Sequence, residues 1–317
     1  MRATGARTKL PSVSWNVLIT ARTIEAAGGS AVESLRQAGC SVAFPPKPGA
    51  LKAEALRSLL PGVHAVLASA DPYTSAVLAS PEAEELEIVA RWGVGYDSID
   101  VAEATRRGIV IAYTPGLLDE TVADYAFALL LALVRRVHVV DSAMHQGVWK
   151  PVWGHDVSGK TMGIIGCGRI GIEVAKRALA FGMSVLVYDV IPVKTDVAVK
   201  QVPLDELLAG ADLITLHVPK QAKPILGEAE FGKMKNGVII VNVARGGVVD
   251  EKALLAALNS GKVRAAALDV FDKEPPEDFS LVDHPNVIPI PHLGAAAAEG
   301  QQRAGLEVVR ILKEKLT

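Results

Sequence analysis

The sequence contains little cysteine: Cys40 and Cys167 are its only two, and two thiols cannot build a disulfide framework. It also lacks an excess of positive charge, because the formal net charge is −2, which argues against nucleic-acid binding. No apolar run reaches the length of a transmembrane helix, and residues 1–14 lack the apolar segment of a secretory signal. We therefore expect a cytoplasmic protein that binds neither nucleic acid nor membrane, with residues 1–14 as a flexible leader.

Metal-ligand spacing is also missing. Most of the seven histidines follow no pattern, and no cluster of His, Cys, Asp and Glu has the spacing of a metal site. We therefore predict no metal. Apolar residues, by contrast, are plentiful: half of the chain is hydrophobic and only 21% is charged, so large cores can form. At 317 residues, two domains are the natural expectation.

A glycine motif stands between two predicted strands. The strand of residues 162–165 is followed at once by GCGRIG, then by a helical pattern, and then by a second strand that ends at Asp189. Gly166 allows a tight turn, Gly168 lets the backbone approach a pyrophosphate, and Gly171 lets helix and strand pack closely. The helix N-terminus favours phosphate, and Asp189 can accept hydrogen bonds from ribose hydroxyls. This context predicts dinucleotide binding, and the alternative is a glycine-rich loop that packs on itself.

Predicted strands alternate with predicted helices along the chain, which is the pattern of parallel sheets covered by helices. In the first part of the chain the predicted strands are residues 15–20, 40–44, 63–68, 87–90 and 109–112. In the second part they are residues 162–165, 184–188, 213–216, 238–243, 265–268 and 287–290. We therefore expect an α/β protein with two doubly wound parallel-sheet domains.

Ligands of open parallel sheets bind beyond the carboxyl ends of the strands, so the residues at those positions are the first candidates for a site. In the second part of the chain they are Gly166, Asp189, His217, Ala244, Arg245, Asp269 and His292. All but the glycine and the alanine are polar or charged, which is unusual for an edge that only meets solvent. In the first part, RWGVG follows the fourth strand. We expect the two sheets to face each other across a cleft, with these two sets opposite one another.

Five stretches resemble, in order and spacing, those of the D-2-hydroxyacid dehydrogenase family, which includes phosphoglycerate dehydrogenases and glyoxylate/hydroxypyruvate reductases. They are RWGVGYDSID, GIIGCGRIG, NVARGGVVDE, LDVFDKEP and PHLGA, and the resemblance covers about residues 63–310. It implies a flavodoxin-like substrate domain, residues 15–113 and 294–317, and a Rossmann NAD-binding domain, residues 114–293, with the cleft between them. It also implies NAD as the cofactor and a homodimer.

The site residues that follow from this resemblance and from the strand ends fall into three groups. The catalytic set is Arg245, Glu274 and His292. The expected substrate contacts are Arg91, Val94 and Gly95. The expected cofactor contacts are Gly166, Gly168, Arg169, Ile170, Gly171, Asp189, His217, Val218, Pro219, Ala244, Asp269 and Gly294. Among these, Asp269 is expected to hold the nicotinamide amide.

The chemistry of keto-acid reduction supports the catalytic roles independently. Hydride transfer to a 2-keto acid builds negative charge on the carbonyl oxygen, and the imidazolium of His292 can donate the proton needed there. A carboxylate beside it, Glu274, orients the ring and favours its charged form. The guanidinium of Arg245 matches a substrate carboxylate, which backbone N–H groups of the RWGVG segment can share because its two glycines allow close approach.

Each catalytic assignment has a plainer alternative. His292 lies between a proline and a leucine and can be a loop histidine with ordinary hydrogen bonds. Arg245 can pair with one of the two acids at the start of the next predicted helix. Glu274 can belong to a solvated run of charges, DKE.

Three features bear on the substrate and the cofactor. Ala68-Ser69 stands where phosphoglycerate dehydrogenases often carry Arg-Ser for the substrate phosphate, which favours a small unphosphorylated acid. The loop Lys220–Pro224 is shorter than the loop that usually follows HVP in the family. Asp189 would repel a 2′-phosphate and no arginine follows it, so we expect NAD(H) to be preferred over NADP(H).

The sequence therefore predicts an oxidoreductase that transfers a hydride between NAD(H) and a small D-2-hydroxy acid or its 2-keto acid. Two alternatives stay open: a D-3-phosphoglycerate dehydrogenase proper, and an NAD(H)-sensing binding protein similar to the transcriptional corepressors of this fold. A phosphite or formate oxidiser is disfavoured, because formate dehydrogenases of this fold carry glutamine where Glu274 stands.

A nearly all-apolar helix is predicted for residues 120–137, which contain AFALLLALV. Such a helix needs burial on more than one side, so it crosses between domains, forms a subunit interface or lies in a plain core. Trp149 and Trp153, in the polar loop that follows, also suit a contact surface. We expect a homodimer organised around residues 120–153.

Overall fold

The computed structural model describes residues 15–21, 29–47, 49 and 51–316, so the expected leader, residues 1–14, lies outside the described residues. The chain divides into two compact units. The first extends to Leu118 and resumes at Ala297, and the second comprises Asp119–Ala296, whereas the sequence placed the boundaries at residues 113/114 and 293/294. Both units contain parallel sheets with helices between the strands, which confirms the predicted α/β class.

The first unit contains a five-stranded parallel sheet in the order β2-β1-β3-β4-β5. Its strands are β1 (Asn16–Ile19), β2 (Ser41–Ala43), β3 (Ala65–Ala68), β4 (Ile88–Arg91) and β5 (Val110–Ala112). Its helices before residue 118 are α1 (Gly29–Gln37), α2 (Ala53–Ser58), α3 (Ser75–Leu78) and α4 (Val101–Arg107). The central strand β3 has the sequence AVLA, and all four of its residues are buried, as a strand covered on both faces requires.

The second unit contains a seven-stranded parallel sheet in the order β12-β11-β10-β9-β6-β7-β8. Its strands are β6 (Thr161–Ile165), β7 (Ser184–Tyr188), β8 (Lys200–Gln201), β9 (Leu213–Leu216), β10 (Val238–Asn242), β11 (Val263–Leu268) and β12 (Val287–Pro289). Its helices are α5 (Asp119–Val134), α6 (Val137–His145), α7 (Arg169–Ala180), α8 (Leu204–Gly210), α9 (Glu228–Lys233) and α10 (Glu251–Asn259). The sequence analysis missed β8, because its two residues are polar and exposed.

Successive residues of the central strands face opposite sides of the seven-stranded sheet. In β6, Ile164 packs into one apolar cluster and Ile165 into the other. In β10, Val241 packs into the cluster of Ile164 and Ile240 into the cluster of Ile165. Both faces of the sheet are therefore covered, which explains why these strands have continuous rather than alternating apolar sequences.

The last helix, α11 (Ala298–Leu316), belongs to the first unit. The indole N–H of Trp92, directly after β4, donates to the carbonyl of Gln301 at 3.2 Å. Gly305 packs so closely on the same indole that a Cβ there would lie 2.3 Å from a ring carbon. The first unit is therefore discontinuous in sequence, and Trp92 joins its two parts.

The apolar segment predicted as one helix over residues 120–137 forms α5 and the first residue of α6. The helix breaks at Arg136, whose φ of +54° lies in the left-handed region that non-glycine residues rarely adopt. Helix α5 is buried on several sides and packs on α7, β10 and β11. Helix α6, by contrast, has no buried residue.

Three features are absent from the described residues. No helix is both long and apolar enough to cross a membrane. No three His, Cys, Asp or Glu side chains group as the ligands of a metal ion would. Cys40 and Cys167 are both buried and form no disulfide.

Candidate active site

The glycine motif connects β6 to α7, and its three glycines meet different requirements. Gly166 has a φ of +91°, and a Cβ on it would lie 2.6 Å from the carbonyl oxygen of His217. A Cβ on Gly171 would lie 2.3 Å from the carbonyl oxygen of Gly166, so only glycine lets α7 begin this close to the strand. A Cβ on Gly168 would meet nothing within 4 Å. The first and third glycines therefore serve the turn and the packing, and the second leaves room for a ligand.

The N-terminus of α7 fits the pyrophosphate of a dinucleotide. Gly168 is the N-cap and has no side chain to bond the first N–H groups, and the first turn contains no acid. Arg169 and Ile170 occupy that turn, where backbone N–H groups have no helical partner and the positive end of the helix dipole favours an anion. In the sheet, β6 lies between β7 and β9, so the strand order reverses direction at β6. Open parallel sheets bind their ligands at such a reversal, beyond the carboxyl ends of the strands.

Asp189, the first residue after β7, lies beside the glycine motif. Its Oδ2 accepts a hydrogen bond of 2.9 Å from the N–H of Cys167, and its Oδ1 accepts one of 3.3 Å from the N–H of Ile191. Burial, and then the charge of Asp189, raise the pKa of Cys167 to about 11. The thiol inside the motif is therefore protonated at neutral pH, and it packs rather than reacts.

His217 and Val218 follow β9 and press against the glycine motif. The Cγ1 atom of Val218 would lie 2.7 Å from a Cβ on Gly166. The Nε2 atom of His217 lies 2.9 Å from Oγ1 of Thr215, and its Nδ1 has no partner in the described part of the chain. Burial lowers the pKa of His217 to about 3, so this ring is neutral at physiological pH.

Glu274 and His292 meet in a short hydrogen bond. Nδ1 of His292 lies 2.7 Å from Oε2 of Glu274, and because an ionised carboxylate only accepts, the imidazole is the donor. Oε1 of Glu274 accepts a weaker bond of 3.3 Å from the N–H of Phe271. The neighbouring Lys273 pairs instead with Glu277, at 2.6 Å. The solvated-charge interpretation therefore suits Lys273 but not Glu274.

The charges of this pair shift both of its pKa values. The hydrogen bond to Glu274 raises the pKa of His292 above its ordinary value, against the opposing effect of partial burial. Partial burial acts to raise the pKa of Glu274, but the hydrogen bond and charge of His292 outweigh it and leave the pKa below its ordinary value. The positive charge of Arg245 lowers the pKa of both groups. These directions favour an imidazolium–carboxylate pair close to a guanidinium.

Arg245 lies in a turn after β10 that a buried amide holds. The side chain of Asn242 accepts from the N–H of Ala244 and donates to the carbonyl of Arg245, both at 3.1 Å. Nη1 of Arg245 donates to the carbonyl of Ala244 at 2.7 Å. The two acids considered as its partners have other bonds, since Asp250 caps α10 and Glu251 accepts from a backbone N–H.

Gly246 is a residue that the sequence analysis missed. A Cβ on Gly246 would lie 1.9 Å from the carbonyl oxygen of Phe271, so only glycine lets the two loops touch. This contact brings the turn of Arg245 against the loop that carries Glu274. The paired glycines of NVARGG were the available signal.

Asp269, directly after β11, is 1% exposed and binds the backbone that follows His292. Its Oδ1 accepts from the N–H of Leu293 at 2.7 Å, and its Oδ2 accepts from the N–H of Gly294 at 2.8 Å. Burial raises the pKa of Asp269, although these two N–H groups act in the opposite direction. His292 itself has a φ of +56°, a strained conformation for a non-glycine residue. Asp269 and Gly294 thus bind each other and fix the backbone at His292. The sequence had predicted Asp269 as a contact of the nicotinamide and Gly294 as a contact of the cofactor.

The remaining predicted cofactor contacts lie at the same edge of the sheet. Pro219 is the third residue after β9, and its carbonyl accepts a hydrogen bond of 3.0 Å from the side chain of Gln221. Ala244 is buried in the turn after β10. Both therefore follow strands that are close neighbours of β6 in the sheet.

In the first unit, the loop after β4 contains the predicted substrate contacts. Nε of Arg91 donates to the carbonyl of Gly95 at 2.8 Å, and Nη1 donates to the carbonyl of Trp92 at 2.6 Å and to that of Ala68 at 3.4 Å. The sequence predicted Arg91 as a substrate contact. The structure shows its guanidinium holding the backbone of its own loop, around Val94.

A family model for the NAD-binding domain of the D-isomer specific 2-hydroxyacid dehydrogenases matches residues 127–294, about half of the chain. The chain belongs to this family. This 2-hydroxyacid dehydrogenase is an NAD-dependent oxidoreductase, and its cofactor is NAD. Relatives of this chain are named as reductases and dehydrogenases, which favours the enzyme over the NAD(H)-sensing binding protein that the sequence left open.

Relatives of this dehydrogenase are named after three different substrates. It is 44% identical over 273 residues to a hydroxypyruvate reductase of Thermotoga maritima, covering 83% of this chain and 89% of the relative. It is 42% identical over 284 residues to a D-3-phosphoglycerate dehydrogenase of Archaeoglobus fulgidus, covering 87% of this chain and 53% of the relative. It superposes on a glyoxylate reductase from Paecilomyes thermophila with a TM-score of 0.85 and 34% identity, over 97% and 96% of the two chains.

Proposed function

We propose that this dehydrogenase reduces a small unphosphorylated 2-keto acid with NADH and, in reverse, oxidises the corresponding D-2-hydroxy acid with NAD. The observation that carries the proposal is the 2.7 Å hydrogen bond between Nδ1 of His292 and Oε2 of Glu274. An imidazole whose pKa is raised by such a partner holds a proton near neutral pH and can donate it to a carbonyl oxygen.

NAD(H), when bound, supplies the hydride in reduction and accepts it in oxidation. In this proposal the N–H groups of Arg169 and Ile170 hold the pyrophosphate at the start of α7, and Asp189 accepts hydrogen bonds from the ribose hydroxyls. The segment His217–Pro219 and the buried Ala244 line the same edge of the sheet. The open space at Gly168 supports this arrangement, because a side chain there would occupy the position of the phosphates.

The proton moves at Nε2 of His292. Because Nδ1 is bound to Glu274, Nε2 is the ring atom left to face a substrate. In reduction, the imidazolium donates from Nε2 to the carbonyl oxygen as negative charge develops there, and Glu274 stabilises the imidazolium until transfer. In oxidation, the neutral ring accepts the hydroxyl proton at the same atom. The backbone clamp at Asp269 supports this role by fixing the direction of the ring.

Arg245 is proposed to hold the substrate carboxylate. A guanidinium binds a carboxylate through two parallel hydrogen bonds, which fixes orientation as well as position. The effect of the Arg245 charge on the pKa values of both His292 and Glu274 supports a role beside the proton-transfer pair. For the first unit, we propose that backbone N–H groups of Val94 and Gly95 are substrate contacts.

The segment after β3 favours a substrate without a phosphate. Ala68 is the last residue of β3 and Ser69 the first residue after it, and the N–H of Ser69 donates to Oγ1 of Thr20 at 3.2 Å. Asp71, two residues further on, is buried and accepts from the N–H of Leu51 at 3.2 Å. The buried carboxylate of Asp71 opposes a phosphate dianion at this place. We therefore propose glyoxylate or hydroxypyruvate as the keto acid.

A D-3-phosphoglycerate dehydrogenase is the second candidate, and one contact favours it. The bond between Leu51 and Asp71 brings the chain before α2 next to the segment after β3. Lys52 is the N-cap of α2 and follows Leu51 directly, so its ammonium is a possible phosphate ligand. The 42% identity to a phosphoglycerate dehydrogenase points the same way.

We further propose that the enzyme is a homodimer organised around residues 120–153. Helix α6 has no buried residue, although several of its side chains are apolar. Trp149 and Trp153 are 85% and 90% exposed, and Val137 and Met144 are also exposed. A contiguous run of exposed large apolar side chains is typical of a protein–protein contact.

The proposal is tested with a panel of 2-keto acids and NADH, followed at the nicotinamide absorbance. We expect glyoxylate or hydroxypyruvate to give the highest kcat/KM, and His292→Ala to lower it roughly 10²–10⁴-fold, the usual effect of a general acid. The highest kcat/KM with the phosphorylated keto acid of 3-phosphoglycerate would favour the second candidate. Full activity of His292→Ala would refute the proposed mechanism.

A further inference from the structure

The loop after β4 is held from two sides. Gly93 has a φ of +140°, and a Cβ on it would lie 3.4 Å from the guanidinium of Arg91. Its carbonyl accepts two hydrogen bonds from Thr114, one from the N–H and one from the hydroxyl, both at 3.2 Å. Thr114, just beyond β5, is fully buried. Arg91 binds the carbonyls on either side of Gly93, those of Trp92 and Gly95.

These bonds decide where the N–H groups of the loop point. In a planar trans peptide, the carbonyl of one residue and the N–H of the next point in opposite directions. Arg91 holds the carbonyl of Trp92 inward, so the N–H of Gly93 faces outward. Thr114 holds the carbonyl of Gly93 inward, so the N–H of Val94 also faces outward. Throughout the described chain, the N–H groups of Val94 and Gly95 find no protein acceptor.

We infer that Arg91 and Thr114 are positioning residues for the substrate carboxylate: they hold the carbonyls of Trp92 and Gly93 inward so that the successive N–H groups of Gly93 and Val94 form an anion-binding nest. The inference rests on the proposed function, in which N–H groups of this loop are substrate contacts. It gives Arg91 a supporting role in place of the direct contact that the sequence suggested. Outward N–H groups in succession are a recognised device for binding anions.

Arginine suits this role for two reasons. Its planar fork supplies diverging N–H donors to several carbonyls at once, which a single ammonium cannot match in geometry. Its positive charge also lies directly behind the peptide groups of the nest, where it adds to the potential that an anion meets. Replacing Arg91 with lysine keeps the charge but loses the fork, so the substitution separates the two contributions.

The experiment compares Arg91→Lys and Thr114→Val with wild type, using glyoxylate and NADH. A carboxylate is bound in ground state and transition state alike, so losing its nest should raise KM and leave kcat nearly unchanged. We expect the KM for glyoxylate to rise about tenfold in Arg91→Lys and about threefold in Thr114→Val, as one or two hydrogen bonds are lost. NADH affinity, measured by quenching of protein fluorescence, should stay at the wild-type value in both.

Arg107→Lys is the matched control. Nη2 of Arg107 also donates to a backbone carbonyl, that of Ala79 at 3.0 Å, but this residue lies at the end of α4 and holds no site loop. Its KM for glyoxylate should equal that of wild type. A rise in the control similar to that in Arg91→Lys would show a general loss of stability in the first unit, and would overturn the inference.

Amide hydrogen exchange of the free enzyme separates positioning from direct contact. If Arg91 positions the loop, the two bonded amides that anchor it, the N–H of Trp92 on Ala68 and the N–H of Thr114 on Gly93, should exchange faster in Arg91→Lys even without substrate. If Arg91 only touches the substrate, exchange should not change, and Thr114→Val should have a wild-type KM; that pair of results overturns the inference. Thr114→Val alone decides the matter if Arg91→Lys fails to fold. A wild-type enzyme that turns over no 2-keto acid would refute the proposed substrate, whereas the exchange result would still test the loop.

Discussion

Asp269 and Gly294 are joined by a hydrogen bond of 2.8 Å from the glycine N–H to a carboxylate oxygen that is almost fully buried. The second oxygen of the same carboxylate holds the N–H of Leu293. The two bonded amides directly follow His292, whose φ is +56°. A strained backbone persists only where its surroundings fix it, and here a single carboxylate supplies two of the fixing bonds.

Replacing Asp269 with asparagine should release this clamp. The amide side chain has one acceptor oxygen, so one backbone N–H would face an NH₂ group. We expect the free energy of unfolding to fall by about 1.5–3 kcal/mol, the usual worth of a hydrogen bond to a charged group. We also expect kcat to fall while the dissociation constant of NADH stays unchanged. Urea denaturation and NADH titration check this, and a weakened NADH affinity with normal kcat would instead support the nicotinamide contact predicted from the sequence.

The His292–Glu274 pair predicts a specific change in pH dependence. Because Glu274 raises the pKa of His292, the imidazolium persists to higher pH than usual. Glu274→Gln keeps the shape but removes the charge, so the pKa should fall. Reduction, which needs the protonated ring, should lose activity at a lower pH than in wild type, and oxidation should extend further into acid. The measurement is kcat/KM against pH in both directions, and superimposable profiles would exclude Glu274 as the partner of His292.

The position of Asp189 predicts a preference for NADH over NADPH. Its carboxylate lies at the glycine motif, bonded to the N–H of Cys167, where its charge repels a 2′-phosphate. Asp189→Asn retains an acceptor for that N–H and removes the charge. We expect the ratio of kcat/KM for NADH over NADPH to fall by at least about tenfold, which corresponds to about 1.4 kcal/mol. Equal values for the two cofactors in wild type would contradict the prediction.

The exposed apolar surface of α6 and the loop after it predicts a dimer. Light scattering should give about twice the chain mass of 33.4 kDa. Met144→Glu places a charge on this surface and should shift the mass toward that of one chain. Leu306→Glu is the control, because Leu306 is similarly exposed but lies on α11. A stable wild-type monomer at micromolar concentration would rule out the proposed interface.

Gly246 offers a test of how the catalytic loops are held together. A Cβ there would overlap the carbonyl of Phe271, so Gly246→Ala must push the turn of Arg245 away from the Glu274 loop. We expect a loss of about 1–3 kcal/mol in unfolding free energy, typical of overpacking, together with a higher KM. Gly232→Ala in α9 is the control, because a Cβ there meets nothing within 4 Å and alanine favours helix. Equal stability of the two variants would refute the packing argument.

The elements of the fold that could be predicted are those with a clear apolar pattern in the sequence. Continuous apolar strands bounded by glycine and polar residues predicted both sheets, and the hydrogen-bonded pair of His292 and Glu274 was found through a family motif. The strand β8 was not predicted, because its two residues are polar and exposed and form no apolar pattern. The break between the two helices at Arg136 was also not predicted. Arginine is common in helices, so the sequence does not indicate that this residue adopts a left-handed conformation. The cytoplasmic location stays a prediction.

The roles of Arg91 and Asp269 were harder to predict, for a related reason. Sequence position correctly located Asp269 just after a strand, whereas Arg91 is the last residue of β4 rather than the first residue after it. In neither case did it predict the direction of the side chain. Arg91 turns back on its own loop because Gly93 adopts a conformation that brings the carbonyls within reach. Asp269 binds the backbone after His292 because β11 and β12 are neighbours in the sheet. Both facts depend on tertiary structure, which a charge at a strand end cannot reveal.

The two cysteines have a practical consequence, since each compact unit carries one of them in a buried position. Burial raises the pKa of both thiols, that of Cys167 to about 11, so both are protonated at neutral pH. A thiol-labelling reagent should therefore leave the native enzyme untouched and modify each cysteine only when its own unit opens. Mass spectrometry of the labelled peptides would then time the opening of the two units separately, with no engineered probe.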